Sequence, residues 1–381
     1  MPQAIASRVS SRDAGSFLLE HRPTQSRISL FEASARSYTH GGRRWLRNST
    51  KFFLRSLRHP VLTREWLDTL FRPSLEPLWR QRPRMAQKLQ RPYLACDLAS
   101  EQKLAYLKFH YTALTRLLSG EALCSVYKDQ LPVLNLRNES TRREIALRLC
   151  YRDQFEMEGD MTLCICDLST GLTLATLSFS LCLHEGKRTL FIGGVQATQD
   201  VRIRENIHDV AKELYGLRPK ALALWCLQRF ASVWRLEQIV GVSDSLHVYR
   251  HSRKRALILS SYDEFWTESD GARQADGLWT LPLVPEQRPR AEIKASRRKQ
   301  YERRYALLEG LGEALSGALE LLAPSALEQR NHQARPPIFV YQSSPAASEV
   351  AADGQKHKAG AAAVGNPAAA SSLAFGNDHS F

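Results

Sequence analysis

RTLFIGGVQATQDVRIRENIHDVAKELYGLRPK, residues 188–220, is the stretch whose reading decides the fold. It opens as a strand, breaks at Gly193-Gly194, passes a polar turn and continues as a helix with basic residues near its start. Ile203, Ile207, Val210, Ala211 and Leu214 fall on one stripe of that helix, with Asp200 placed to cap it. Gly216 ends it, and Arg218-Pro219-Lys220 forms the corner into a second, largely apolar helix over about 221–235.

Upstream of this hinge the pattern has period two. LPVLNLR (131–137), EIALRLCY (144–151), MTLCICDL (161–168) and LTLATLSFSLCL (172–183) alternate apolar and polar residues and are joined by short polar turns. That spacing predicts an antiparallel meander. Before it, Leu104, Leu107, Tyr111, Leu114 and Leu118 recur at helical spacing and predict a helix from about Ser100 to Leu118. His110, on that helix, reads as structural. After the hinge come the strand QIVGVS, a basic segment HVYRHSRKRA read as a further helix, and YDEFWTES read as a strand. EIKASRRKQYERRYALLEGLGEALSGALELLA then predicts a long helix stopped at Pro324. The fold class is therefore α+β, an antiparallel meander with flanking helices.

The flanks differ in composition. Residues 1–42 read as a disordered basic leader. Residues 43–95 read as a basic, aromatic helical segment ending in a Pro- and Arg-rich link, 96–290 as the α+β core and 291–323 as the long helix. Residues 324–381 read as a disordered Ala/Pro/Ser-rich tail. The net charge of +14 is concentrated at the front, where Met1–Arg91 carries 18 Lys and Arg against 6 Asp and Glu. Such a patch fits an anionic membrane surface or an acidic protein; its bland counterpart is a solvated arm. The aromatics Trp45, Phe52, Phe53, Trp66 and Phe71 serve either membrane contact or docking onto the main domain, and docking is the preferred reading. A nucleic-acid-binding regulator ranks last, because no recognition-helix or zinc-finger motif accompanies the charge.

Seven cysteines without a CxxC pair point to a reducing compartment and no zinc site. The longest apolar run, Leu172–Leu183, has 12 residues, short of the roughly 20 that span a bilayer. No secretory signal is visible, so the expectation is a cytoplasmic protein, extended by peripheral attachment at the inner membrane.

An ordered set of short motifs adds a resemblance. RPYL (Arg91–Leu94), KFHY (Lys108–Tyr111), IGGVQA (Ile192–Ala197) and LYGLRPK (Leu214–Lys220) are followed by GVSDSLHVYR (Gly241–Arg250), YDEFW (Tyr262–Trp266) and RRKQYERRYALL (Arg297–Leu308). The set resembles the VirK/YbjX family over about residues 51–311. The resemblance implies a Gram-negative bacterial protein linked to virulence, surface-protein localisation, resistance to antimicrobial peptides and envelope integrity. It implies no catalytic residue and no cofactor.

The order of elements also looks like that of the GCN5-related acyltransferases, which would imply an acyl-CoA or acyl-carrier donor and an enzyme. The pyrophosphate loop of those enzymes follows Q/R-x-x-G-x-G/A, and Gln196-Ala-Thr-Gln-Asp-Val departs from it. A site on this plan lies between the end of the Gly-Gly strand and the end of the GVS strand. Gly193, Gly194 and Gln196 would form the cradle. Arg202, Arg204, Arg218 and Lys220 would meet an anion, Ser243 would bind ligand and His247 would act as general base. Each of these also has a plain structural role: a bulge at the glycines, solvated charges at the corner, a cap at Ser243.

Overall fold

The residues that form the hinge also close a sheet. The computed structural model describes residues 29–36, 42–128, 130–197, 201–250, 261–326 and 336–343. Helices α1 (Leu30–Arg36), α2 (Arg43–Ser56), α3 (Pro60–Leu70) and α4 (Glu76–Gln81) lead into a 3-10 segment, Pro83–Gln90. Then follow α5 (Ser100–Leu117), α6 (Gly120–Lys128) and five strands: β1 (Leu131–Asn138), β2 (Glu144–Cys150), β3 (Met161–Asp167), β4 (Leu172–His184) and β5 (Lys187–Ala197). Helices α7 (Val201–Glu213) and α8 (Pro219–Val233) cross to β6 (Gln238–Gly241). Helix α9 (Tyr262–Glu268), the hairpin β7 (Ala272–Arg273) and β8 (Trp279–Leu281), α10 (Arg298–Leu321) and β9 (Ile338–Tyr341) complete the order.

The nine strands form one sheet in the order β7-β8-β6-β5-β4-β3-β2-β1-β9. Strands β1 to β5 are the expected meander, each antiparallel to the next. The α7–α8 crossover makes β6 parallel to β5, pairing Thr189 with Gln238 through Ile192 with Gly241. Helix α5 runs along β4, where Ser178 and Ser180 face the polar interior described below. The alternate residues Leu177, Phe179 and Leu181 point to the other face, which α8 covers from β3 to β6.

Five expectations need correction. YDEFWTES is not a strand: Ser261 caps it by accepting from the Glu264 amide at 3.1 Å, and Tyr262–Glu268 is helical. The Pro- and Arg-rich link is interior, since its short apolar core buries Met85, Ala86, Lys88 and Leu89 between the prolines. Leu30–Arg36, placed in the leader, is helical, and Ile338–Tyr341, placed in the tail, is a strand parallel to β1. Both are too short for periodicity to register. The helix expected over HVYRHSRKRA is not formed where it is described, since His247 bridges to Ala95 and Val248–Arg250 form a turn; residues 251–256 and the Asp200 cap lie outside those described.

Candidate functional site

The polar interior gathers on a segment between β2 and β3, Glu156-Met157-Glu158-Gly159-Asp160. A 3-10 turn at Asp153–Phe155 starts it, and the amides of Glu158 and Gly159 both donate to the Phe155 carbonyl, at 2.8 and 3.2 Å. Gly159 lets the chain lie on β4, because a Cβ there would sit 2.5 Å from the Phe179 nitrogen. Glu156, Glu158 and Asp160 are all buried. Buried carboxylates persist only with partners, and each has its own set.

Asp160 is held on every side. Lys88 lies 2.8 Å from Oδ1, Tyr111 donates to Oδ1 at 2.7 Å, and Tyr93 and Ser180 donate to Oδ2, the latter at 3.2 Å. Burial alone would raise the Asp160 pKa, but Lys88, His110 and these hydrogen bonds hold it at about 2. Burial would depress the Lys88 ammonium, yet Asp160 outweighs it and the pKa ends above its ordinary value. Lys88 also stands 5.0 Å from the Tyr151 ring centre and donates to the Glu156 carbonyl at 2.9 Å. Glu156 is paired with Arg91 and Arg84.

His110 sits beside this centre without joining it. Its Nδ1 accepts the Leu181 amide at 3.0 Å, which leaves the ring proton on Nε2, a buried atom with no hydrogen-bond partner among the described residues. Burial lowers its pKa to about 4, so the ring is neutral at physiological pH.

Glu158 is the centre of the second set. Gln196 donates to its Oε1 at 3.1 Å, and His247 Nε2 lies 3.4 Å from the same oxygen. His247 Nδ1 accepts the Tyr249 amide at 3.3 Å, which places the imidazole proton on Nε2, facing Glu158 and the Tyr262 hydroxyl at 3.2 Å. Tyr262 accepts the Val195 amide at 3.0 Å and the Gln196 amide nitrogen at 3.3 Å. Burial holds Tyr262 well above the ordinary phenol pKa, so it stays protonated.

Gly193 and Gly194 are shaped by the same segment. The β4–β5 register skips between Ser178↔Gly194 and Phe179↔Ile192, so Gly193 is the extra residue of a bulge. A Cβ on Gly193 would lie 2.2 Å from the Glu158 carbonyl oxygen, and one on Gly194 would lie 2.0 Å from Glu158 Oε2. The glycines admit the Glu158 segment against the strand.

The sequence-predicted residues thus divide. Gly193, Gly194, Gln196 and His247 meet at Glu158. Ser243 is fully buried on the same loop as His247 and shares a hydrogen bond with Ser245 at 3.0 Å. Arg218 is exposed at the start of α8, and Lys220, its pKa lowered by burial, stands 5.8 Å from the Phe265 ring centre. Arg202 and Arg204 lie on α7 among residues whose side chains are not described. The sequence reading passed over Glu158, Asp160, Lys88 and Tyr262. One signal was available: three acids at alternate positions immediately before an apolar strand, an arrangement that has to be paired if it is buried.

Two further clusters carry titratable groups. Cys150 and Cys164, on β2 and β3, place their sulfurs 3.3 Å apart, with Arg152 Nε 3.3 Å from Cys150. The hydrogen bond from Cys164, reinforced by Arg152, lowers the Cys150 pKa to about 7 despite burial. At the β4–β5 turn, His184, Glu185 and Asp276 offer ligand atoms within 4.8 Å of one another, with both carboxylates exposed. No helix among the described residues is long and apolar enough to cross a membrane.

The fold is mixed α+β, with its acidic segment between a meander and a split parallel pair, and no solved structure matches it. The family model described as "Protein of unknown function (DUF535)" matches residues 41–316. The chain belongs to this family. It is 36% identical over 296 residues to the Escherichia coli K12 protein named "Uncharacterized protein YbjX", an alignment spanning 75% of this chain and 88% of that one. A Haemophilus influenzae protein is 29% identical over 120 residues, covering 32% of this chain and 40% of its own length.

Proposed function

We propose that this chain is an acyl-transfer enzyme acting on a component of the Gram-negative envelope, with Glu158 and His247 as its proton-handling pair. One observation carries the reading. Strands β5 and β6 pair in parallel for only four residues and part beside the Gly193 bulge, just ahead of α7. The buried carboxylate, imidazole and phenol of Glu158, His247 and Tyr262 stand where they part. The Glu158 segment fills the space between the parting strands, so the reading requires that segment and Gln196 to give way to an extended ligand whose anionic group meets the helix start.

In this reading the Glu158 carboxylate, oriented by the His247 Nε2–H, takes the proton from an acceptor hydroxyl or amine as it attacks the thioester carbonyl. The C–S bond breaks and the same proton goes to the departing thiolate, which leaves as the thiol. Gln196, only partly buried, is the member of the set that reaches the surface. The roles in envelope integrity, surface-protein localisation, antimicrobial-peptide resistance and virulence that the family resemblance implies would follow from such a modification.

The test is calorimetry of the full chain with acetyl-CoA, a long-chain acyl-CoA and an acyl carrier protein. Saturable heat with one of them, weakened by Gln196→Ala in a normally folded protein, supports the assignment. Silence with all three removes it.

A further inference from the structure

Helix α2 carries three adjacent rows, each offset from the last by one residue. Trp45, Ser49, Phe52 and Ser56 form the first, and it is docked: Ser49, Phe52 and Ser56 are buried, and the Trp45 indole donates to the Ala35 carbonyl at 3.0 Å. Trp66 and Leu70 of α3 are buried with them, so the large side chains of this region serve the core. The second row, Leu46, Thr50, Phe53 and Leu57, repeats the same spacing one step round the helix, with Leu54 beside it. The third is Arg47, Lys51, Arg55 and Arg58.

Among the described residues Phe31 meets the second row, edge-on to Phe53, and the row's leucines stay open. Leu46 and Leu54 are each 60% exposed and Leu57 52%, and Val61 at the start of α3 adds a fourth aliphatic at 74%. Isolated exposed leucines are ordinary, but three on one face of a single helix are not. Between Arg43 and Arg58 the chain has six Lys and Arg and no acid. The apolar row therefore lies between the side that anchors α2 to the domain and a wholly cationic side.

We propose that this face of α2 docks on an anionic lipid bilayer. The leucines enter the headgroup boundary, and the long basic side chains beside them keep their charges at the phosphates. Charge complementarity selects the partner, since every charged residue between Arg43 and Arg58 is a cation. Its placement agrees, because one side of the helix is already spent on the core and Phe31, at 71% exposure, extends the exposed row. The inference is independent of the acyl-transfer reading.

The experiment is flotation of the full chain with vesicles of phosphatidylcholine alone and of phosphatidylcholine with an equal part of phosphatidylglycerol. Binding is expected to the anionic vesicles and to weaken with salt. The double variant Leu46→Ser/Leu57→Ser, at exposed positions and checked for an unchanged melting temperature, should lower it by about tenfold or more. Arg47→Glu/Lys51→Glu should abolish the preference for the anionic lipid. Equal binding to both vesicle types, no binding to either, or binding untouched by the leucine variant overturns the proposal. So does a concentration-dependent dimer that the leucine variant dissolves, which would make the row a contact between copies.

Discussion

The Lys88 ammonium lies 2.8 Å from an Asp160 carboxylate oxygen, and neither side chain is more than 3% exposed. Lys88 arrives from a 3-10 turn between prolines and Asp160 from the start of β3, so the pair clamps the N-terminal helices to the sheet. Losing one partner strands the other's charge in a dry interior, at a cost of about 3–5 kcal/mol. Lys88→Met and Asp160→Asn are each expected to destabilise by that order in urea unfolding. The double variant should lose less than the two single losses together, whereas simple additivity would show that the pair is not coupled.

Acid stability should have a component from His110. Its folded pKa of about 4 lies below the ordinary 6.5, so between these values the unfolded chain binds more protons. Stability therefore rises with pH across that window and is lost as pH falls through it, by up to about 3 kcal/mol. His110→Asn keeps an acceptor near the Leu181 amide without the titration. The slope of unfolding free energy between pH 4 and 6.5 should flatten in this variant; an unchanged slope would assign it to other groups. Asp160, with its pKa held at about 2, acts in a lower window, its contribution disappearing below pH 3.8.

Gly193→Ala puts a methyl 2.2 Å from a backbone oxygen of Glu158. The clash can be relieved only by moving the strand or the acidic segment, so destabilisation of about 2 kcal/mol or more is expected. Gly317→Ala in α10 meets nothing within 4 Å and should stabilise by roughly 0.5–1 kcal/mol. Chemical denaturation of the two variants side by side checks both signs.

Thiolate absorbance should show a step below the ordinary thiol range, because the hydrogen bond from Cys164 and the nearby Arg152 guanidinium lower the Cys150 pKa. Cys150→Ser is expected to remove that step, and Arg152→Ala to move it to higher pH. A midpoint unaffected by either variant would show that the Cys150–Arg152 contact does not set it.

Much of the fold was readable because β1 to β5 are long enough for alternation to register and α5, α7, α8 and α10 long enough for helical spacing. YDEFW was misread because its helix is decided by the Ser261 cap and by Asp244, which accepts the Tyr262 amide at 2.8 Å from elsewhere in the chain. The site was half legible. Gln196 and His247 stood out as polar residues at strand ends. Their meeting point did not, because Glu158 lies on an irregular turn, and only folding shows that the Gly-Gly bulge is there to receive it. The motifs RPYL, KFHY, IGGVQA, GVSDSLHVYR and YDEFW, scattered along the sequence, each place a side chain or a glycine on Glu156–Asp160 or one contact away from it.

Strand β9 has one more consequence. It pairs Ile338–Tyr341 with Asn135–Asn138 along the outer side of β1, while the opposite border of the sheet is the two-residue strand β7. Four residues therefore cover the long open border, where unpaired amides would otherwise template addition of a foreign strand. A chain cut short before Pro336 would keep the whole Glu158 and Asp160 apparatus and lose its guard against aggregation. The segment that shortens the open border of the sheet is thus remote from its polar interior.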